Sequence, residues 1–433
     1  MKVLIASIGS AGDVHPFVGI ALALRERGHS VRFATNAYFA PLLERHGLPL
    51  LQVGTREQFE EATAHPALWS QFRGFGVLAK IIRHSTRAVY AHVEREAAQG
   101  DTVVVGHPLA FGARVAHELL GVPLATLHLA PSTLWSVEDM PVPSRWIGST
   151  SRWPKPARRL VVSLGDRFAD LALAPALNRF RAELGLPPAR HVAHHWWHSP
   201  QCVIGLFPDW FAARQPDWPA ATSLTGFPLY DERDVSQVPR DLAAFLAGAE
   251  SAGDPPIAFA PGSSNRQAQR FFESAADACR RLGRRGLLLT RYPEQLPSRL
   301  PAGVRHFAYA PFSAVLPRCG ALVHHGGIGT AAQALAAGLP QLVMPMTFDQ
   351  PDNAVRLERL GVGRMLLPEQ FRGDRLARRL ESLADPEVVR RAGDIRKRFR
   401  GIDPIARTCD LIEAAASGSP APAGDEASIP SAA

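Results

Sequence analysis

A short segment, HHGGIGT at residues 324–330, places two imidazoles and three glycines between an apolar run and a helical pattern. Glycines at a strand-to-helix turn let a ligand approach the bare backbone, and the N–H groups at a helix start attract anions. The spacing matches neither G-x-G-x-x-G nor G-x-x-x-x-G-K-[ST], so neither a dinucleotide motif nor a Walker motif is indicated. The segment predicts a phosphate site, and the alternative is a tight turn that needs glycine for positive φ.

The next segment, PQLVMPMTFDQPDN at residues 340–353, adds polar side chains close to that loop. Its apolar half predicts a strand, which delivers Asp349, Gln350 and Asn353 to a turn and the start of a helix. Side chains that donate and accept hydrogen bonds beside a phosphate site are suited to the hydroxyl groups of a polyol. The alternative for Asp349 is a helix cap, and the two roles are compatible.

The elements that must position these residues follow a regular alternation. Short apolar runs are separated mostly by helix-length segments, and a polar linker with Pro at both ends, residues 227–240, divides them. The predicted strands are 2–8, 31–35, 49–53, 102–106 and 124–127 before the linker, and 256–260, 286–290, 304–307, 321–324 and 341–344 after it. This rhythm predicts an α/β protein with two doubly wound parallel sheets and a cleft between them.

Composition narrows the class of partner. Lys and Arg number 48 against 40 Asp and Glu, a formal net charge of +8. This balance is compatible with an anionic substrate or an anionic lipid surface, whereas nucleic acid is disfavoured because no dense basic run is interleaved with aromatics. The four cysteines are widely spaced and form no CxxC pair, which predicts a reduced, cytoplasmic protein. We also predict no signal peptide and no transmembrane helix.

Together, HHGGIGT and MPMTFDQPDN resemble the donor-binding signature of family 1 nucleotide-sugar glycosyltransferases, which have the GT-B fold of two Rossmann-like domains facing across a cleft. The segments APGSS (260–264) and YAPFSAVLP (309–317) are similar to the family's second phosphate loop and nucleobase segment. The resemblance implies the following contacts: diphosphate with Ser263, His325, Gly327, Gly329 and Thr330; sugar with Asp349, Gln350 and Asn353; nucleobase with Tyr309 and Ala310. It implies that the nucleotide sugar is a substrate, with neither a cofactor nor a metal required.

The resemblance also implies a domain arrangement. An N-terminal acceptor-binding domain is expected at 1–230 and a C-terminal nucleotide-sugar-binding domain at 231–402. A helix at 403–416 is expected to pack back on the first domain. The remaining Pro/Ala/Ser-rich residues, 417–433, are expected to be disordered.

The segment IGSAGDVHP, residues 8–16, ends the first predicted strand and opens a predicted helix at Pro16. It is similar to a Gly-Ser-x-Gly-Asp loop of antibiotic and sterol glycosyltransferases, which implies that Asp13 takes the proton from the acceptor hydroxyl. His15 is the second candidate for this role. Asp13 could instead only satisfy the N–H groups at the helix start, and an ordinary aspartate needs desolvation to act as a strong base.

Two further features concern the acceptor. All eight tryptophans precede residue 219, and they are either core aromatics or the lining of an apolar acceptor pocket, together with residues 130–143. In HVAHHWWHS (191–199), His191, His195 and His198 share a face at helical spacing. A zinc site there is disfavoured because no Cys or carboxylate lies nearby in sequence, and a helix near the acceptor or a surface helix is preferred.

Within the family, several segments are most similar to the rhamnosyltransferases of rhamnolipid biosynthesis, among them HSPQCVIGLFPDWFA (198–212) and TGFPLYD (225–231). This implies transfer of L-rhamnose from dTDP-L-rhamnose to a 3-(3-hydroxyalkanoyloxy)alkanoate, with peripheral association with the inner membrane or with a partner enzyme that supplies the acceptor. A UDP-sugar-dependent glucosyltransferase of a sterol, macrolide or other lipophilic acceptor is the alternative. A sugar-nucleotide epimerase and a catalytically silent transferase partner are alternatives of another class.

Overall fold

A computed structural model describes residues 1–70 and 73–418 of the chain. The part of the predicted tail at 419–433 lies outside the described residues. Ser417, where we expected the tail to begin, is the last residue of a helix. No helix within the described residues is both long enough and apolar enough to span a membrane.

Seven parallel strands form the first sheet, in the order β3-β2-β1-β4-β5-β6-β7. Strands such as TVVVG at residues 102–106 are apolar at nearly every position because both faces of a parallel sheet are buried under helices. The strands are β1 (Lys2–Ala6), β2 (Ser30–Thr35), β3 (Leu50–Gln52), β4 (Thr102–Gly106), β5 (Leu124–His128), β6 (Cys202–Gly205) and β7 (Thr222–Leu224).

Six parallel strands form the second sheet, in the order β10-β9-β8-β11-β12-β13. They are β8 (Ile257–Ala260), β9 (Gly286–Leu289), β10 (Val304–Phe307), β11 (Ala321–His324), β12 (Gln341–Val343) and β13 (Gly363–Met365). In both sheets the strand order reverses direction at one point, beside β1 in the first and beside β8 in the second. Ligands of such sheets bind outside the carboxyl ends of the strands at this point.

Helices cover both sheets. Within the described residues they are α1 (Ala11–Glu26), α2 (Ala40–Arg45), α3 (Arg56–Ala64), α4 (Arg73–Ala97), α5 (Phe111–Leu120), α6 (Lys155–Glu183), α7 (Arg240–Ser251), α8 (Gln269–Leu282), α9 (Phe312–Val315), α10 (Ile328–Ala337), α11 (Gln350–Arg359), α12 (Gly373–Leu383), α13 (Pro386–Lys397) and α14 (Pro404–Ser417).

The structure confirms the fold class of two parallel α/β sheets and corrects details of the elements. Helix α1 begins at Ala11 and not at Pro16, because Ser10 and Asp13 cap the helix start before the proline is reached. Pro16 lies inside α1, where it has no N–H to donate to the preceding turn. The strands β6, β7 and β13 were not predicted, and β7 and β13 have only three residues each.

Helix α14 returns to the first sheet and packs against α1, β4, β5 and β6. Leu411 and Ile412 are buried in the same apolar cluster as Phe17 and Leu24 of α1. Arg27, at the end of α1, forms ion pairs with Asp410 and Glu413. The apolar contact dominates, because exposed ion pairs contribute little to stability.

We predict that Ile412→Ala lowers the free energy of unfolding by about 2–5 kcal/mol, since it removes a fully buried side chain and leaves a cavity. Ile402→Ala is the matched control, because this side chain is 53% exposed, and its effect should stay within about 0.5 kcal/mol. Urea denaturation of both variants measures the difference. Equal effects would show that α14 does not contribute to the first core.

Candidate functional site: a cleft with two opposed carboxylates

The glycine segment forms the turn from β11 to α10. His324 is buried inside it, where its Nδ1 accepts a hydrogen bond from Gly326 N (3.1 Å) and its Nε2 lies 3.0 Å from Gln341 Oε1. Gly326 has a φ of +96°, and a Cβ there would lie 2.7 Å from Val343 Cγ1. Apart from its neighbours in α10, no atom lies within 4 Å of the corresponding Cβ position at Gly329, so space remains beside the start of α10 for an anion.

His325 is the imidazole of the pair that faces the cleft. Its ring lies against two glycines, since a Cβ at Gly262 or at Gly327 would lie 3.1 Å or 2.5 Å from His325 Nε2. Removal from water lowers the pKa of His325 to about 4. The side chain is therefore neutral at pH 7, and it would contact a phosphate as a hydrogen-bond donor and not as a cation.

The segment after β12 brings Asp349 and Gln350 to the cleft, whereas Asn353 lies behind them. Asn353 is fully buried, and its Nδ2 donates to Gly326 O (2.9 Å) and to Asp349 Oδ2 (2.7 Å). Gln350 Oε1 accepts from Met346 N (2.8 Å). The predicted sugar contact by Asn353 is therefore replaced by a structural one, in which its amide connects the glycine turn to Asp349.

Asp349 has the most perturbed carboxyl of the cleft. Burial raises its pKa to about 7, and the charge of Asp13 in the other half of the molecule contributes to this rise, against the hydrogen bond from Asn353. The structure therefore brings the predicted sugar-binding carboxylate and the predicted base to opposite sides of one cleft. A carboxylate is costly to bury unless it is protonated, hydrogen-bonded or neutralised by a ligand, so this pair favours a polar ligand between them.

The remaining predicted donor contacts line the same cleft. Ser263 follows β8, while Tyr309 and Ala310 follow β10. The Tyr309 hydroxyl donates to the Asp231 carbonyl (2.7 Å), and the Arg291 guanidinium lies 5.0 Å from the ring centroid. A planar base can pack against this pair, although the aromatic surface is smaller than that of a tryptophan.

Asp13 lies in the first turn of α1, and its two carboxylate oxygens have different surroundings. Its Oδ2 accepts hydrogen bonds from Ser10 N (2.6 Å) and Ser10 Oγ (3.1 Å), so the capping role considered from the sequence is present. Its Oδ1 lies 3.6 Å from Nε2 of His107, which follows β4. A Cβ at Gly9 would lie 2.2 Å from Asp13 Oδ2, so this approach of backbone to carboxylate requires glycine.

His107 is a functional residue that sequence reasoning missed. Its Nδ1 accepts from Leu109 N (3.3 Å), which leaves the proton on Nε2, the atom that faces Asp13. Burial lowers the pKa of His107, so the imidazole is neutral and does not neutralise Asp13, and the 3.6 Å between Nε2 and Asp13 Oδ1 is longer than a hydrogen bond. The available signal was its position: it directly follows the strand beside β1, at the same sheet edge as Asp13.

His15 is held differently from Asp13. Its Nε2 lies 3.1 Å from Glu232 Oε1, and Arg45 contacts the other oxygen of Glu232 at 2.6 Å. Glu232 belongs to the segment predicted to be a linker and is buried, with a φ of +59°. Sequence reasoning missed this carboxylate because a polar linker gives no signal of burial. The contact makes Nε2 of His15 the donor to Glu232, so Nδ1 is the nitrogen that remains to accept a proton.

The cleft continues from the two carboxylates into an apolar cavity, and the volume of the whole is about 1130 Å³. Its far walls come from α4, α6 and the 130–143 segment, and include Phe75, Leu78, Trp135, Val142, Leu164 and Phe168. Trp69, Trp135 and Trp197 are the tryptophans that line it. Phe75 contacts Phe168 edge to face, with ring centroids 5.4 Å apart. An apolar wall of this size suits a lipophilic ligand.

The histidine cluster does not form the predicted helical face. Residues Val192–Trp196 form a single π-helical turn. His191 forms an ion pair with Asp166, whereas His198 is buried and its Nδ1 lies 3.0 Å from His128 Nε2. Within the described residues no group of three or more His, Cys, Asp or Glu side chains is placed to hold a metal ion.

Comparison with known proteins agrees with this geometry. Residues 3–138 match the glycosyltransferase family 28 N-terminal domain, and residues 289–398 match the C-terminal domain of erythromycin biosynthesis protein CIII-like proteins. The chain is 30% identical to the O-mycaminosyltylonolide 6-deoxyallosyltransferase of Streptomyces fradiae, over 95% of this chain and 97% of that enzyme. It belongs to the GT-B nucleotide-sugar glycosyltransferases.

Solved structures show the same fold for this glycosyltransferase. The glycosyltransferase of kitacinnamycin superposes with a TM-score of 0.71 at 23% identity, covering 96% of this chain and 98% of that one. The glycosyltransferase VinC in complex with dTDP superposes with a TM-score of 0.69 at 20% identity, covering 97% and 100%. Membership of the family favours a transferase over the sugar-nucleotide epimerase that the fold alone left open.

We predict that Gly326→Ala destabilises the glycosyltransferase by about 2–4 kcal/mol, because the methyl group meets Val343 at a residue whose φ is +96°. Gly329→Ala is the matched substitution in the same loop, where no neighbouring atom lies within 4 Å, and it should unfold like the wild type. Thermal and urea unfolding compare the two. A stable Gly326→Ala protein would contradict the described turn geometry.

Proposed function

We propose that this glycosyltransferase moves L-rhamnose from dTDP-L-rhamnose to the hydroxyl of a 3-(3-hydroxyalkanoyloxy)alkanoate, with inversion at the anomeric carbon. The carrying observation is that Asp13 and Asp349, from the two halves of the chain, line one cleft, where burial and then the charge of Asp13 raise the pKa of Asp349 to about 7. A sugar held by Asp349 would then lie beside Asp13, at the entrance of the apolar cavity.

The C-terminal half of the cleft binds the nucleotide sugar and stabilises the leaving diphosphate. We assign the diphosphate to the N–H groups at the start of α10, with hydrogen bonds from Thr330, Ser263 and the neutral His325. Gly327 and Gly329 allow its close approach. As the bond between the anomeric carbon and the phosphate oxygen breaks, negative charge develops on the diphosphate, and preorganised donors stabilise it. The protein thereby supplies the charge stabilisation for which other transferases use a metal.

The N-terminal half of the cleft supplies the general base. The acceptor oxygen attacks the anomeric carbon on the face opposite the diphosphate, and its proton passes to Asp13 Oδ1. This oxygen is the one that the cap at Ser10 leaves open, while Oδ2 is engaged. Nε2–H of His107 faces Oδ1 from 3.6 Å, and this distance would shorten to a hydrogen bond when the cleft closes on the substrates. Asp13 is thus the catalytic residue and His107 a positioning residue.

The chemistry of the cavity supports an anionic, lipid-like acceptor. Its walls on α4 and α6 are apolar, which suits alkyl chains. Lys80 and His84 also line the cleft, on the same helix as Phe75, and Lys80 offers a charge to a carboxylate. A hydroxyalkanoyloxyalkanoate has alkyl chains for the apolar walls and a carboxylate for Lys80. A sterol or a macrolide lacks the carboxylate.

Two relatives support a dTDP-deoxysugar donor. One is a 6-deoxyallosyltransferase, so it transfers a 6-deoxyhexose, and VinC was solved with dTDP. We further propose that the acceptor domain comprises residues 1–230 and the donor domain residues 231–402. The enzyme acts in the cytoplasm, at the surface of the inner membrane or beside an enzyme that supplies the acceptor.

We predict that Asp13→Asn lowers kcat by about 10²–10⁴-fold and leaves the affinity for dTDP unchanged, because the loss of a general base affects only the chemical step. His15→Asn should lower kcat less than about tenfold, since Asp13 remains to accept the proton. Steady-state kinetics and calorimetry with dTDP measure both. A larger loss for His15→Asn than for Asp13→Asn would assign the base to His15.

The substrate assignment is tested by mass spectrometry of products from dTDP-L-rhamnose and from UDP-glucose, each with a hydroxyalkanoyloxyalkanoate and with a sterol. We expect a rhamnosylated hydroxyalkanoate as the main product. A glucosylated sterol would support the UDP-sugar alternative. Failure to bind either nucleotide would support a catalytically silent partner.

A further inference from the structure

Helix α6 carries an exposed apolar stripe. Leu160, Leu164, Phe168 and Leu171 follow each other at intervals of three or four residues and therefore lie on one side of the helix. Their exposed fractions are 60%, 54%, 41% and 78%. Large apolar side chains are seldom clustered on a surface without a partner, so this stripe indicates a docking surface.

The stripe is continuous with the apolar cavity. Leu164 and Phe168 line the cavity, whereas Leu160 and Leu171 do not and remain on the outer surface. Phe168 also contacts Phe75 of α4 at the cavity wall. A lipophilic molecule could therefore pass from a surface that contacts the stripe into the cavity without crossing water.

A cation borders the stripe. Arg167 is exposed and lies beside it, three residues after Leu164 and four before Leu171, while Arg159 is exposed on a different side of α6. The ion pairs of α6 within the described chain involve Lys155, Asp166, Arg181 and Glu183, and they leave Arg159 and Arg167 without an acidic partner. The whole chain carries a net charge of +8. Apolar side chains bordered by an unpaired cation are complementary to an anionic lipid surface.

We propose that the α6 stripe docks this enzyme on an anionic lipid bilayer, from which the acceptor enters the cavity past Leu164 and Phe168. The inference rests on the proposed lipid-like acceptor and names the surface that delivers it. Contact is peripheral: the leucines enter the boundary between headgroups and acyl chains, and Arg167 contacts a lipid phosphate.

Vesicle co-sedimentation tests the proposal with the full-length protein. Vesicles of phosphatidylcholine with about 30% phosphatidylglycerol, which gives an anionic surface, should bind wild-type enzyme, and pure phosphatidylcholine should bind it at least tenfold less. Leu160→Ser/Leu171→Ser should reduce binding at least tenfold, because it removes two apolar side chains from the contact. Arg167→Glu should reduce binding at least fivefold, because each cation near an anionic surface contributes roughly a factor of five. None of these three residues lines the cavity.

Val389→Ser/Ile402→Ser is the matched control, since both are large apolar side chains that are exposed and neither belongs to α6. This variant should bind vesicles like the wild type. An equal loss in the control would overturn the proposal, and so would equal binding to neutral vesicles. Unfolding midpoints of all variants should match, because the substituted side chains are exposed.

A second copy of the chain is the other occupant, and the oligomeric state measured beside vesicle binding distinguishes it. A wild-type dimer that Leu160→Ser/Leu171→Ser converts to a monomer, without vesicle binding, would assign the stripe to a second copy of the chain and overturn the proposal. A monomer that binds no vesicles would also overturn it.

Transfer to detergent-dispersed acceptor separates this inference from the proposed function. The stripe variants should retain wild-type rates with dispersed acceptor and lose rate only with acceptor in vesicles. Full transfer without vesicle binding would overturn the docking surface alone. Vesicle binding without transfer to any hydroxyalkanoate would overturn the proposed acceptor.

Discussion

The site depends on one electrostatic constraint, the desolvated carboxyl of Asp349 facing Asp13 across the cleft. Burial and the charge of Asp13 both favour the protonated form of Asp349, and its pKa rises to about 7. The folded chain therefore holds this proton more tightly than the unfolded chain does. The resulting contribution to stability is fully present below the ordinary aspartate pKa and is lost as the pH rises through about 7. A polar ligand between the two carboxylates would offset this cost.

Other contacts in the fold hold Asp13 and Asp349 on opposite sides of the cleft. Asp13 is fixed by the cap at the start of α1, and Asp349 by Asn353, whose amide also bonds the glycine turn through Gly326 O. Both carboxylates follow the carboxyl ends of central strands, β1 and β12, one in each sheet. The segment between the sheets contacts both halves, because Glu232 pairs with His15 while Asp231 accepts from Ser313 N (2.6 Å).

Much of this arrangement was predictable from periodicity and motif. Alternating apolar runs predicted two parallel sheets, and the glycines after β11 predicted the anion-binding turn. Contacts between residues distant in sequence were not predictable. His107, Glu232 and the inward position of Asn353 depend on which strand ends meet, and a single sequence does not encode that as a local pattern. The helix start at Ala11 was missed because Pro16 gave a strong local signal, whereas the cap formed by Ser10 and Asp13 determined the boundary.

The most direct test is the titration of Asp349 by carbon NMR in the donor-free enzyme, with selectively labelled aspartate and Asp349→Asn to assign the signal. We expect a midpoint near pH 7 in the wild type. In Asp13→Asn the midpoint should fall, because a neutral side chain no longer opposes ionisation, but it should stay above the ordinary aspartate value, because burial remains. A midpoint near that ordinary value, or one unaffected by Asp13→Asn, would contradict the opposition of the two carboxylates.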